Sequence, residues 1–218
     1  MNNYELKKLF TGKFILGDSN SKKVLILDNK INEVKTNLKL NPGLKSLLLD
    51  LLIMKAIIEL NDEQYPFEII NKIYEIDNFN LKALILEMRV ENCIYGTIQE
   101  KTINKINNIL SKNKDVDYRY LSVLKYYEAF YNVELNNLNT SINFVEQSLK
   151  FWDKNSSAYR LFGYILKKMN ILDKSEEMYM LEKLNKNYYK INRSDYNWSD
   201  FDVYIYIIAQ NLEIIENL

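Results

Sequence analysis

Residues 156–187 read SSAYRLFGYILKKMNILDKSEEMYMLEKLNKN and contain two helical patterns joined by a short turn. Phe162 and Leu166 are four residues apart before the turn, as are Ser175 and Tyr179 after it. Side chains at this spacing share one face of an α-helix. The stretch therefore predicts a helix–turn–helix unit whose two helices pack against each other.

The same helical period recurs along most of the chain. Leu81, Leu84 and Met88, for example, follow one another at three- and four-residue spacing. Short polar clusters separate such segments, so successive helices are expected to be antiparallel neighbours. The chain has 5 Gly and 2 Pro, fewer than the tight turns of a sheet-rich fold require. We predict an all-α fold, an α-solenoid of about five helix–turn–helix repeats with a C-terminal capping helix.

The predicted helix pairs lie near residues 3–40, 43–77, 80–112, 117–152 and 156–187. They form one repeat domain over residues 1–187, and residues 188–218 add an aromatic loop and a capping helix, near 199–217, to the same domain. Residues 13–28 form either two helices or a β-hairpin around Gly-Asp-Ser-Asn-Ser. The stretch 47–54 is apolar on nearly all sides and predicts a helix buried between its neighbours.

The pairs resemble tetratricopeptide repeats, a family of 34-residue helix–turn–helix units with small and aromatic residues at set positions. Gly163 stands at the small position of the first helix, and Tyr179 at the aromatic position of the second. Ser175 is small where the family prefers alanine. Ala129 and Ser141 lie 34 residues before Gly163 and Ser175. The small residue lets two helix backbones approach, and the aromatic ring fills the gap beside them.

Other pairs depart from this pattern. The third has Glu87 and Met88 where the family has a Leu-Gly pair, and the fourth lacks the complete first-helix signature. The first and second carry insertions. A generic α-solenoid is therefore the alternative to a tetratricopeptide repeat.

Composition excludes several classes of function. The formal net charge is +0, so no overall field attracts nucleic acid or a membrane. Histidine is absent, which removes the usual general base and the commonest metal ligand. No Gly-rich phosphate loop precedes a helix. We expect a protein that is not an enzyme and needs no cofactor or metal.

Cysteine and tyrosine usage support the same view. The single cysteine, Cys93, suits a reducing compartment and is expected to be a small buried hydrophobe. The start of the chain lacks a signal-peptide pattern and no apolar run is long enough to span a bilayer, which predicts a cytoplasmic protein. Five tyrosines at helical spacing predict an aromatic stripe packed between helices, not a base-stacking surface. They are Tyr118, Tyr120, Tyr126, Tyr127 and Tyr131.

In the resembled family the first helices line a concave groove that binds peptides. Carried over by register, the resemblance implies a partner-binding groove at Lys82, Arg89, Asn92, Lys125, Asn132, Arg160, Tyr164 and Lys167, with Ile85 and Ser157 beside them. Such cations and amides suit an acidic or C-terminal peptide. The alternative is that they are ordinary solvated side chains.

The resemblance implies a non-enzymatic protein-interaction scaffold or adaptor. The alternative is a dedicated chaperone, inhibitor or immunity protein that wraps a single client. Charge adds a further feature, because residues 1–45 hold nine Lys against four acids, whereas residues 194–218 hold five acids and no Lys or Arg. The predicted helix near 199–217 is apolar on more than one face. Either the preceding aromatic loop covers it, or it joins two chains in a homo-oligomer.

Overall fold

The computed structural model describes residues 20–61 and 64–192, and all regular structure in these residues is helical. The helices are α1 (Asn20–Leu38), α2 (Lys45–Asn61), α3 (Phe67–Ile76), α4 (Leu81–Tyr95), α5 (Glu100–Ile103), α6 (Lys105–Lys112), α7 (Tyr118–Glu134), α8 (Leu138–Phe151), α9 (Ser156–Lys168) and α10 (Leu172–Asn192). This confirms the predicted all-α class of helix–turn–helix units. The described residues form two compact units, the first reaching Val90 and the second beginning at Glu91.

The first unit is built around α2. This helix packs against both α1 and α3, and its apolar residues between Leu48 and Ile58 are almost entirely removed from water. The prediction of a helix buried between its neighbours is confirmed. Burial on nearly every side explains why the sequence of α2 lacks the polar stripe of a surface helix.

An ion pair joins α2 to α1. The Nζ atom of Lys55 lies 2.7 Å from Oδ1 of Asp28 and 3.5 Å from Oε1 of Glu59. Partial burial by itself lowers the pKa of Lys55, but the hydrogen bond and charge of Asp28 and the charge of Glu59 outweigh it, so the pKa is raised. Lys55 is therefore held in its charged form in the folded chain.

The second unit contains two complete hairpins, α7–α8 and α9–α10. Apolar residues from both hairpins form one buried cluster, to which α7 and α8 contribute Ala129, Val133 and Val145, and α9 contributes Leu161 and Ile165. The hairpins therefore share a core, as expected of neighbouring repeats that cannot bury their apolar faces alone.

The turns of these two hairpins have the same geometry at an interval of 34 residues. Asn136 and Asn170 both adopt positive φ, at 58° and 61°. The backbone N–H groups of Asn137 and Ile171 each donate to the carbonyl five residues back, at 2.8 and 2.9 Å. A left-handed residue followed by this bond is the Schellman motif, which satisfies the last carbonyls of a helix and reverses the chain.

Three details differ from the sequence prediction. Helix α10 continues to Asn192, so the first five residues of the predicted aromatic loop are helical. The chain has no Gly or Pro after Gly163, so no strong helix-stop signal lies there. The second helix of the third pair is interrupted at Asn104. Residues 23–28, one arm of the alternative hairpin, lie in α1.

Other predictions fall on residues outside the described part of the chain. These are the first helix near 3–17, the other arm of the alternative hairpin at 13–17, and the capping helix near 199–217.

Candidate partner-binding surface

Asn155 fixes the start of α9. Its Oδ1 accepts a hydrogen bond from the backbone N–H of Ala158 at 3.1 Å, and its Nδ2 donates to the hydroxyls of Ser122 and Ser148 at 2.9 and 3.3 Å. Asn155 is 0% exposed, so water does not compete for these bonds. One side chain thus caps α9 and joins it to α7 and α8.

Gly163 fixes the contact between α9 and α10. A Cβ atom at this position would lie 3.0 Å from the ring of Tyr179. The hydroxyl of Ser175 donates to the Gly163 carbonyl at 2.8 Å. The small residue and the aromatic ring predicted from the repeat pattern therefore do meet, and they hold one side of α9 against α10.

The opposite side of α9 is a basic surface. The residues of α9 classed as exposed are Arg160, Tyr164, Lys167 and Lys168, which we call the α9 basic face. The sequence of α9 contains no Asp or Glu. Nζ of Lys168 lies 4.9 Å from the centre of the Tyr164 ring, within cation–π range. A flat aromatic ring, 43% exposed, is thus surrounded by three cations on a rigid helix.

Three residues of the predicted groove, Arg160, Tyr164 and Lys167, lie on this face. Ser157, which the register placed beside them, is 4% exposed and faces the interior. The sequence interpretation missed Lys168. The available signal was its place beside Lys167 in the last turn of a helix without acids.

The fourth pair takes a register that the sequence left open. Ser141 donates to the carbonyl of Ala129 at 2.8 Å, the same bond that Ser175 makes with Gly163. This equivalence places Tyr126 and Phe130 where α9 has Arg160 and Tyr164. Both α7 residues pack against the shared core.

Lys125 and Asn132 occupy other repeat positions and are partly buried. Nζ of Lys125 lies 2.6 Å from Oε2 of Glu128 and 5.1 Å from the centre of the Phe144 ring. Asn132 donates from Nδ2 to the backbone carbonyl of Glu128 at 2.8 Å. Intramolecular contacts therefore already engage both side chains, and a role in partner binding stays a prediction.

The remaining predicted residues lie on α4. Nζ of Lys82 lies 3.2 Å from Oδ1 of Asp50 on α2. Arg89 and Asn92 are partly buried, and Ile85 is completely buried, so it lines no open surface. Helix α4 packs its apolar residues on almost every side, which leaves little of it exposed.

Two other sequence predictions concern single residues and the tyrosine stripe. Cys93 is exposed, so the expectation that it is a buried hydrophobe is wrong. It lies in the last turn of α4, close to the exposed Tyr95. In α7, Tyr127 is fully buried with Tyr126 against it at 5.2 Å between ring centres, whereas Tyr118 is exposed. The stripe is therefore packed in the middle of α7 and exposed at its start.

Chemistry-bearing clusters were sought over residues 20–61 and 64–192. No group of three or more Cys, Asp or Glu side chains there could hold a metal ion. None of the helices described in the structure combines the length and apolar composition needed to cross a membrane.

The fold is similar to that in a crystal structure of MamA, a helical-repeat protein. The superposition has a TM-score of 0.53 at 14% sequence identity and covers 83% of this chain and 99% of that chain. No protein-family model matches the sequence, and no curated protein matches it. At this identity the likeness shows the fold alone, and the tetratricopeptide family stays a resemblance.

Proposed function

We propose that this chain is a non-enzymatic protein-interaction scaffold that binds an acidic segment of a protein partner on the α9 basic face. The observation that carries the proposal is that the residues exposed along α9 are three cations and one tyrosine, with no acid in the helix.

The packing beneath the face supports this proposal. Asn155 holds the start of α9 and Gly163 its middle, so the cations project from a backbone that is fixed from two sides. A partner would bind a preorganised surface, and less of its binding energy would be lost in ordering the protein. Arg and Lys pair with carboxylates, and tyrosine adds rigid contact area that tolerates both polar and apolar neighbours.

The size of the effect can be bounded. An exposed ion pair contributes roughly 0.2–1 kcal/mol, so three pairs contribute about 1–3 kcal/mol. This corresponds to about a 10- to 100-fold change in affinity when all three cations are removed. The interaction should weaken as salt rises, because exposed charges are screened.

The test compares two triple variants of the full chain. R160A/K167A/K168A removes the cations of the α9 basic face. K114A/K150A/K174A removes the same charge from exposed positions elsewhere in the second unit. Tagged wild-type and variant chains are purified from native cells with quantitative mass spectrometry. Each partner found is then produced alone and titrated by calorimetry.

We expect the face variant to lose a partner that the control variant retains, with the affinity falling at least about tenfold. Equal binding by both variants would contradict the proposal. Stoichiometry from light scattering then separates the two roles. One tightly bound client marks a dedicated chaperone, inhibitor or immunity protein, and several weaker partners mark an adaptor.

A further inference from the structure

The segment that follows α10 has the charge that the α9 basic face lacks. Residues 194–218 contain five acids and no Lys or Arg. We propose that this segment docks on the α9 basic face of its own chain and competes there with the partner. The docking stands on charge and reach alone, and the competition rests on the proposed function.

The α9 basic face is a selective target for such a segment. Among the helices of the described residues, α6 and α9 are the ones without an acid, and α6 has two cations where α9 has three. Helix α10 mixes both signs along its length, as Asp173, Glu176 and Lys174 illustrate. The positive field on this side of the hairpin therefore comes from α9, and an anionic segment is attracted there first.

The segment can reach the face without a long linker. The Ser175–Gly163 hydrogen bond sets the level of α10 against α9 and places Arg160 near residue 178. Helix α10 ends at Asn192, which is about 20 Å further along its axis at a rise of about 1.5 Å per residue. Asp200 follows Asn192 by eight residues, and an extended chain of that length spans about 26 Å.

The turn beyond the face offers an apolar contact as well. Ile171 and Leu172 directly follow the lysines at the end of α9 and are 38% and 53% exposed. The segment combines its acids with apolar residues, among them Ile205 and Leu212. A surface of cations beside apolar side chains matches a segment that carries both features.

Docking within one chain is favoured over docking between chains. A segment joined to its target by a few residues is present at an effective concentration of about millimolar for short flexible linkers. A second copy of the chain reaches that concentration only in concentrated solution. The proposal therefore commits to the chain's own segment.

Zero-length carbodiimide cross-linking of the full wild-type chain tests the docking directly. The reagent joins a carboxylate to an amine that touches it, and mass spectrometry identifies the linked peptides. An equal mixture of unlabelled and ¹⁵N-labelled chains separates links within a chain from links between chains. Lys150 and Lys174 are exposed amines outside the face and serve as internal controls.

We expect links from Asp195, Asp200 or Asp202 to Lys167 or Lys168, in peptides of a single isotope. Any of four results would overturn the docking: no such links, links to Lys150 and Lys174 at equal frequency, links to the lysines of residues 1–45 instead, or links of mixed isotope. The last would show that a second copy supplies the segment.

A binding measurement tests the competition. The variant D195N/D200N/D202N/E213Q/E216Q removes the negative charges of the segment while keeping side-chain size, and circular dichroism checks its helix content. The probe is a fluorescein-labelled decaglutamate peptide. If the segment occupies the face nine-tenths of the time, the variant binds the probe about tenfold more tightly than wild type.

Adding R160A/K167A/K168A to this variant should abolish the gain. Equal probe binding by wild type and the neutralised variant would contradict the competition. The two proposals fail differently. Failure of the proposed function leaves the probe unbound by every variant and the cross-links in place, whereas failure of the docking leaves the probe bound and the cross-links absent.

Discussion

The hairpins α7–α8 and α9–α10 share an internal frame but not a surface. Both turn on a left-handed asparagine, and both join their helices by a serine hydroxyl that donates to a backbone carbonyl at 2.8 Å. The positions that carry Arg160 and Tyr164 in α9 carry Tyr126 and Phe130 in α7. The repeat therefore conserves the contacts that build a hairpin, and the residues between those contacts decide what the hairpin presents to solvent.

The largest expected effect concerns the close approach in the second of these hairpins. Gly163→Val places a branched side chain where a single Cβ already meets the Tyr179 ring at 3.0 Å. Overpacking of this kind costs about 1–3 kcal/mol, and we expect the upper end because α9 and α10 would both have to shift. Urea unfolding of the full chain measures the loss.

The matched double variant identifies the cause of that loss. If the ring is responsible, Gly163→Val should cost clearly less in a Tyr179→Ala background than in wild type. Additive losses in the double-mutant cycle would mean that Gly163 is needed for another reason.

The N-caps of α7 and α9 should differ in strength. Asn155→Ala removes a fully buried cap that also bonds Ser122 and Ser148, and should cost about 2 kcal/mol because it leaves buried hydroxyls with fewer partners. Asp117 caps α7 from a partly exposed position and accepts from the N–H of Arg119 at 2.8 Å. Asp117→Ala should cost about 1 kcal/mol. Thermal unfolding of both variants checks the order, and equal losses would show that the buried bonds add nothing.

The two serine contacts should be worth the same. Ser141→Ala and Ser175→Ala each remove one buried hydrogen bond to a carbonyl, and each should cost about 1 kcal/mol. A difference greater than about 0.5 kcal/mol in chemical unfolding would show that the two frames are not energetically equivalent.

The smallest expected effect lies at the turns. Asn136→Gly and Asn170→Gly place glycine at backbone positions with φ of 58° and 61°. Glycine adopts this region without the steric cost of a Cβ, so each variant should gain a few tenths of a kcal/mol. Alanine at the same positions should destabilise the chain, and stability gained by either alanine variant would contradict the assigned turn geometry.

The interior of the second unit was largely predictable because its signals are local. The pairing of Gly163 with Tyr179 and the 34-residue offset of Ser141 and Ser175 were visible as spacing, and the structure shows the contacts they imply. The end of α10 was not predictable from the repeat length, because nothing in the sequence after residue 187 stops a helix before Asn192.

The surface was less predictable. Ile85 and Arg160 take corresponding places in the register used for prediction, yet Ile85 is completely buried and Arg160 is exposed. Lys125 is charged and helical like Lys167, but Glu128 and Phe144 engage it. Cys93 is exposed although small apolar residues are usually buried. In each case the outcome depends on which neighbouring helix covers that side.

The sequence by itself determined the helices, their turns and the contacts inside each hairpin, because period, capping residues and small-residue positions act between residues close in the chain. Only the tertiary structure decided which of the predicted cations form a continuous exposed face on α9 and which are tied to Asp50 or Glu128. Exposure is the area that packing leaves uncovered, and it depends on helices distant in sequence, whereas helix formation depends mainly on the segment itself.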